Sequence, residues 1–289
     1  MHVATLIAAD RLDPAFVDAL RNAWGGGDAV WLDPARAAEF LMETPPANLW
    51  EVWDEAQKLG IDLAVQKADG RRKDVLLADM DSTMIRQECI DELAEIAGVG
   101  ARVKEITARA MNGELDFEGA LRERVGLLEG LEAAVIDQVW TERITLTPGG
   151  RELIATMRAN GGYCALVSGG FTQFTQRVAA ALSFDEHRAN TLIDVDGRLT
   201  GQVAEPILGR EAKIAALREV CAARGVGLQR AMAVGDGAND LGMLGLAGAG
   251  VALHAKPVVA AEVDLRINHG DLTALLFLQG YSRDEFAPA

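Results

Sequence analysis

The hydrophobic pattern changes period several times along the chain. Residues 74–78 (Asp-Val-Leu-Leu-Ala), 163–167 and 231–234 are continuous apolar runs of strand length, as expected of strands buried on both faces of a sheet. Between and after them, residues 151–160, 171–182 and 211–224 carry apolar positions at helical spacing, the first opened by Pro148 and Gly149. A further helix is predicted near 239–246, and short strands near 249–252 and 264–267. Residues 191–195 and 199–203, on either side of Asp196-Gly197, predict a hairpin. Such alternation favours an α/β fold with a parallel sheet and crossover helices. Residues 88–140 break it and read as helices only. Leu93, Ile96 and Ala97 lie on one stripe, and Phe117, Leu121, Val125 and Leu128 recur at helical spacing.

The first 70 residues differ from the rest. They hold Trp24, Trp31, Trp50 and Trp53 and end in the charged stretch ADGRRKD at 68–74. A strand is predicted at 3–8, a helix at 14–24, a strand at 29–32, a helix at 48–59 and a strand at 61–65. Residues 35–42 are ambiguous. If extended, they complete a βαββαβ order, the ferredoxin-like plan; if helical, that plan fails. The expected division is an N-terminal α+β domain over 1–70, of unassigned role, and a second domain over 74–289.

Composition narrows the function. The 289 residues carry 43 acidic against 28 basic side chains, a formal net charge of −15 and a pI near 4.7. That surface repels nucleic-acid phosphates and anionic lipid, so neither partner is expected, and an anionic small-molecule substrate needs a local cation. Cys89, Cys164 and Cys221 are widely spaced with no CxxC pair, so no zinc knuckle or disulfide framework is signalled. The N-terminus has no leader-like pattern, and no apolar run nears the roughly 18 residues of a membrane span. A cytoplasmic protein is expected.

The chemistry lies where three buried strands run out into polar clusters: Asp79-Met-Asp81-Ser-Thr, Ser168-Gly-Gly170 and Gly235-Asp236-Gly-Ala-Asn239-Asp240. In an open parallel sheet the carboxyl ends of strands gather at one crevice, so these residues should converge. Four carboxylates there repel one another unless a cation sits among them, and oxygen ligands without His or Cys point to Mg²⁺. Asp79 and Asp81 would share a face in strict strand geometry, unless the chain turns just past the strand. A carboxylate can attack phosphorus, and a second can protonate the leaving oxygen and then activate water. Ser168-Gly-Gly at a helix start and a lysine, with Lys213 the candidate, can hold a phosphoryl group. A dinucleotide reading is disfavoured, because GDGAND has Asp240 where GxGxxG requires glycine.

These clusters and Lys213 occur in the order of the four motifs of the haloacid dehalogenase superfamily. More narrowly, residues 75 to about 278 resemble the phosphoserine phosphatase family, through DSTMIRQECIDELA at 81–94, AMNGELDFEGALRERVGLL at 110–128, LVSGGF at 166–171 and AVGDGAND at 233–240. The resemblance implies a Rossmann-like parallel sheet, with a core over 74–87 and 146–289 and a small helical cap over 88–145. It implies Asp79 as nucleophile and Asp81 as general acid, then base. Mg²⁺ would be held by Asp79, Asp236 and the backbone carbonyl of Asp81, with Asp240 ordering that site. Ser168, Gly169 and Lys213 would hold the phosphate, with Asn239 close by. Glu88 would read the substrate ammonium and Arg124 its carboxylate, with Arg122 a rival by spacing, and Met111 and Phe117 would be apolar neighbours. The implied activity is hydrolysis of O-phosphoserine, the last step of serine biosynthesis. Other readings are phosphoryl transfer to another hydroxyl, hydrolysis of another small phosphomonoester, or an amino-acid sensor with a vestigial phosphatase domain.

Overall fold

The computed structural model describes residues 1–111 and 114–288. The chain opens with β1 (His2–Ala8), α1 (Pro14–Ala23), β2 (Val30–Asp33), β3 (Ala37–Met42), α2 (Leu49–Lys58) and β4 (Ile61–Lys67). The four strands form one antiparallel sheet in the order β2-β3-β1-β4. The ambiguous 35–42 stretch is therefore extended, and the βαββαβ plan holds. Ala37, Ala38, Phe40 and Met42 are buried, and β3 pairs on both sides, so sheet contacts decide what local propensity leaves open. Asp13 starts α1, its side chain accepting from the Ala15 N–H (2.9 Å) with Pro14 in the first position. Leu6, Leu12, Val17, Phe40 and Leu63 fill the space between this sheet and its helices.

The second sheet begins at β5 (Val75–Ala78). A helical stretch follows: α3 (Cys89–Ile96), α4 (Gly100–Met111), α5 (Phe117–Gly126) and α6 (Val135–Glu142). After it come α7 (Gly150–Ala159), β6 (Tyr163–Phe171), α8 (Thr172–Leu182), β7 (Glu186–Asn190) and the hairpin β8 (Leu192–Val195) with β9 (Arg198–Val203). The chain continues through α9 (Arg210–Ala223), β10 (Ala231–Gly235), α10 (Leu241–Leu246), β11 (Ala249–Leu253), α11 (Pro257–Ala260), β12 (Leu265–Ile267) and α12 (Ala274–Leu278). Six strands form a parallel sheet in the order β12-β11-β10-β5-β6-β7. Its apolar runs serve two cores: Leu76, Leu166, Met232 and Val234 face one, Leu77, Val167, Ala231 and Ala233 the other. β7, with the polar sequence EHRAN, was not expected. It is the sheet edge, and its pairing with β6 substitutes for a hydrophobic signal.

The strand order fixes the site. From β5 the chain builds outward through β6 and β7, then returns to the other flank of β5 with β10, and continues to β11 and β12. The order thus reverses beside β5, which opens a crevice at the carboxyl ends of β5 and β10.

Two junctions matter below. The helical stretch α3–α6 leaves and rejoins the core through paired backbone: Ile85 bridges Leu146, and Arg86 N–H donates to Thr145 O (3.0 Å). The N-terminal sheet meets the loop after β12 through Asp62, whose carboxylate accepts from the N–H groups of Asn268 (2.7 Å), His269 (3.2 Å) and Gly270 (2.7 Å).

Candidate active site

Asp79 is the first residue past β5, and its N–H still donates to Val234 O on β10 (3.0 Å). The chain then enters a wide turn over Met80–Met84, closed by Ile85 N–H on Met80 O (3.0 Å). Within it Ser82 takes a left-handed conformation (φ 56°). This turn keeps Asp79 and Asp81 from lying as two residues of one straight strand. Asp79 Oδ1 accepts from Met80 N–H (2.8 Å) and lies 2.7 Å from Lys213 Nζ. Asp81 Oδ1 accepts from Cys89 N–H at the start of α3 (2.9 Å), and its Oδ2 accepts from Ser168 Oγ (3.2 Å).

Ser168 ends the buried part of β6, and its hydroxyl in turn accepts from Gly170 N–H (2.9 Å). A Cβ at Gly170 would collide with Asp81 Oδ2, so only glycine lets this loop lie so close to the carboxylate. Asn190 at the end of β7 holds the loop from outside, donating to Gly169 O (2.8 Å) and accepting from Leu208 N–H (2.7 Å). From α5, the Phe117 ring closes over the same loop: a Cβ on Gly169 or on Gly209 would lie 3.1 Å from it. The side chain of Met111 lies outside the described residues.

Asp236 follows β10. Its Oδ1 accepts from Thr83 Oγ1 (3.4 Å), and its Oδ2 lies 3.8 Å from Lys256 Nζ. Asp240 is wholly buried with both oxygens engaged, Oδ1 by Lys213 (2.6 Å) and Oδ2 by the Gly237 N–H (3.0 Å). Lys213 is itself 0% exposed, clasped between Asp79 and Asp240 rather than lining the cavity.

Above this cluster lies a cavity of about 630 Å³. Asp79, Asp81, Ser168, Gly169, Asp236 and Asn239 line it, and so do Glu88, Phe117 and Arg124 from the helical stretch. Asp79, Asp81, Glu88, Arg124, Ser168, Gly169, Asp236 and Asn239 thus reach this cavity, while Lys213 touches its lining at Asp79 and Asp240 touches it at Gly237. Of the rival arginines, Arg124 borders the cavity while Arg122 turns outward to pair with Glu205. Arg210 and Lys256 also line the cavity and were not anticipated. Lys256 sits in the loop past β11, so the same strand-end rule that singled out the other clusters applies to it. Arg210, at the first position of α9, has no comparable signal.

Electrostatics follow from burial. Asp79, Asp236 and Asp240 each offer an oxygen, all within 4.8 Å of one another. Burial, then repulsion from Asp240, pushes Asp79 well above the ordinary carboxylate range, against the pull of Lys213. Burial and Asp240 raise Asp236 to about 6, and burial followed by Glu88 raises Asp81 to about 7. Burial lowers the Lys213 amine, but Asp79 and Asp240 outweigh it, so the lysine remains a cation. Negative charge is in excess. Among the described residues Asp79 Oδ2 has no protein partner, and the Asp236 carboxylate meets only a long hydroxyl contact and a distant lysine. The cluster can therefore hold a metal ion through these oxygens, while the fully engaged Asp240 orients Lys213 and the Gly237 loop.

A model of the haloacid dehalogenase-like hydrolases matches residues 76–245. The phosphoserine phosphatase of Streptomyces coelicolor is 46% identical over 261 residues, which are 89% of this chain and 63% of that protein. The chain thus spans less than two thirds of that relative's length. A haloacid dehalogenase family hydrolase from Salmonella enterica serovar Typhi superposes with a TM-score of 0.88 at 30% identity, covering 99% of this chain and all of the other. A phospho-aspartyl intermediate analogue of a phosphoserine phosphatase superposes with a TM-score of 0.67 at 40% identity, covering 71% of this chain and 98% of that one. With its carboxylates gathered at the strand reversal beside β5 and this match over more than half its length, the chain belongs to the haloacid dehalogenase-like hydrolase family.

Proposed function

We propose that the chain is a Mg²⁺-dependent phosphatase that hydrolyses O-phosphoserine to serine and phosphate through an aspartyl-phosphate, the last step of serine biosynthesis. One observation carries the substrate. Glu88 and Arg124 both border the cavity that Asp79 and Asp81 floor, and neither is in an ion pair among the described residues. An unpaired anion and an unpaired guanidinium on one wall suit a zwitterion, whose ammonium and carboxylate replace the missing partners. The names of the relatives point the same way.

In this reading residues 88–145 act as a cap over the core, and residues 1–70 are an accessory unit. Mg²⁺ would be held by Asp79, Asp236 and the backbone carbonyl of Asp81. When bound, it offsets the repulsion among these carboxylates and the negative charge of the phosphoryl oxygens. An Asp79 carboxylate oxygen attacks phosphorus, and the bond from phosphorus to the serine oxygen breaks. Asp81, neutral in part at pH 7, gives its proton to that oxygen. It then takes a proton from water as the water attacks phosphorus and Asp79 leaves as a carboxylate. Ser168, the Gly169 backbone and Asn239 hold the phosphoryl group, and Lys213 keeps Asp79 aligned from within the core.

Phosphate release from a panel of phosphomonoesters, with Mg²⁺ and then with excess EDTA, tests this. Phosphoserine well above phosphothreonine, sugar phosphates and aryl phosphate, with loss in EDTA, is expected. A flat profile that still needs Mg²⁺ discards the substrate; no release discards the enzyme.

A further inference from the structure

Ser82 is the one non-glycine residue of the Met80–Met84 turn with a positive φ, at 56°. Such a conformation is unfavourable for a residue with a Cβ, and glycine would adopt it freely. Contacts of the backbone and of the hydroxyl offset that cost. The Ser82 hydroxyl donates to Glu88 Oε1 (2.8 Å), and the Ser82 N–H donates to Gln87 O (3.2 Å). Asp81 next to it accepts from the Cys89 N–H (2.9 Å). Two consecutive residues of the catalytic turn therefore grip three consecutive residues at the entrance of the helical stretch. Gln87 extends the grip to the returning chain, its side chain accepting from Thr145 N–H (2.9 Å).

Glu88 needs such a grip. It flanks the start of α3, its side chain caps no helix N–H, and no cation pairs with it among the described residues. A free glutamate loses substantial rotamer entropy when it binds a ligand. A carboxylate fixed at one oxygen has lost most of that entropy beforehand. The Ser82 hydroxyl occupies Oε1 only, and Oε2 has no protein partner among the described residues.

We propose that Ser82 is a positioning residue for substrate selection. Its hydroxyl holds the Glu88 carboxylate in place, with one oxygen free for the ammonium of an amino-acid phosphate. This rests on the reading of Glu88 given under Proposed function. The left-handed backbone at Ser82 is then the geometric requirement for reaching Glu88 from the turn that also carries Asp81.

Three variants and their double test this: Ser82→Ala, Ser82→Gly, Glu88→Ala and Ser82→Ala with Glu88→Ala. Ser82→Gly relieves the backbone conformation and Ser82→Ala retains it, so a shared loss belongs to the hydroxyl. Both should lower kcat/KM for phosphoserine by on the order of tenfold, with little change for an aryl phosphate. In the Glu88→Ala background, Ser82→Ala should cost phosphoserine turnover nothing more. Full additivity there, or equal losses on both substrates, overturns the proposal. Urea unfolding of the parent, Ser82→Ala, Glu88→Ala and their double reads the contact without any substrate: the two changes should be non-additive, and strict additivity also overturns it. If the parent enzyme does not prefer phosphoserine over aryl phosphate, the substrate reading fails, whereas the unfolding cycle still decides whether Ser82 holds Glu88.

Discussion

The Lys213 amine lies 2.7 Å from Asp79 Oδ1, the lysine side chain 1% exposed and the aspartate 6%, at the floor of the cavity. The same amine is 2.6 Å from Asp240, so one cation holds two buried carboxylates. Removing one member of such a group leaves charges with no water to compensate them. Lys213→Met should therefore destabilise the fold by about 3–5 kcal/mol and abolish turnover. Urea unfolding beside an activity assay checks this; an unchanged midpoint would mean that the cluster takes up protons when the lysine is lost.

Asp79→Asn tests the nucleophile. The amide keeps the shape of the carboxylate and removes a buried charge that Asp240 already opposes, so the protein should remain folded. Turnover should fall by at least about three orders of magnitude. Near-normal turnover in a folded variant would remove Asp79 from the covalent role.

Geometry separates Arg124 from Arg122, and kinetics can do the same and test Glu88 beside it. Glu88→Gln and Arg124→Ala should each lower kcat/KM for phosphoserine by about ten- to a hundredfold, and that for an aryl phosphate far less. Arg122→Ala, whose partner Glu205 lies outside the cavity lining, should do little to either. A larger effect from Arg122 than from Arg124 would reverse the assignment.

Much of this was legible in the sequence for one reason. In a parallel sheet the inward runs are apolar and the carboxyl ends are polar, so the pattern alone puts Asp79, Ser168 and Asp236 at strand ends. The ferredoxin-like order was half legible: AAEFLM at 37–42 has no clear period, and only its pairing with β1 and β2 makes it a strand. β7 was not legible because EHRAN has no hydrophobic pattern and owes its conformation to a neighbour. The cationic side chain of Arg210 escaped for a different cause. A helix's first residue is a common place for any charged side chain, and what singles this one out is the cavity beside it. The role of Ser82 was hidden too, because a left-handed serine reads like any other in a sequence.

The pH profile follows from Asp81, whose carboxyl is pushed up to about 7 by burial and by Glu88. In the proposed mechanism its proton is needed when the leaving oxygen departs. Raising the pH above about 7 removes the acid form, so kcat/KM for phosphoserine should fall by about tenfold per unit. An aryl phosphate, whose leaving group departs without a proton, should show a flatter alkaline limb. Glu88→Gln removes the nearby negative charge and should shift the phosphoserine limb to lower pH. Identical limbs for both substrates would mean that another group sets the profile.

Asp62 lies outside the cavity lining and ties the N-terminal sheet to the loop after β12. Its carboxylate collects the N–H groups of Asn268, His269 and Gly270, three consecutive donors that no strand or helix satisfies. From there Leu272 N–H donates to Pro148 O (3.1 Å) and Thr147 N–H to Met84 O (2.9 Å), which leads back to the turn holding Asp79 and Asp81. Asp62→Ala leaves those donors buried and unpaired, so stability should drop by about 2–3 kcal/mol. Asp62→Asn keeps one acceptor and should lose less. If the path to Met84 matters, kcat should fall in Asp62→Ala under conditions where the protein is still fully folded. A stability loss with unchanged kcat would confine Asp62 to docking the N-terminal sheet, and no loss of either would mean the loop keeps its place without it.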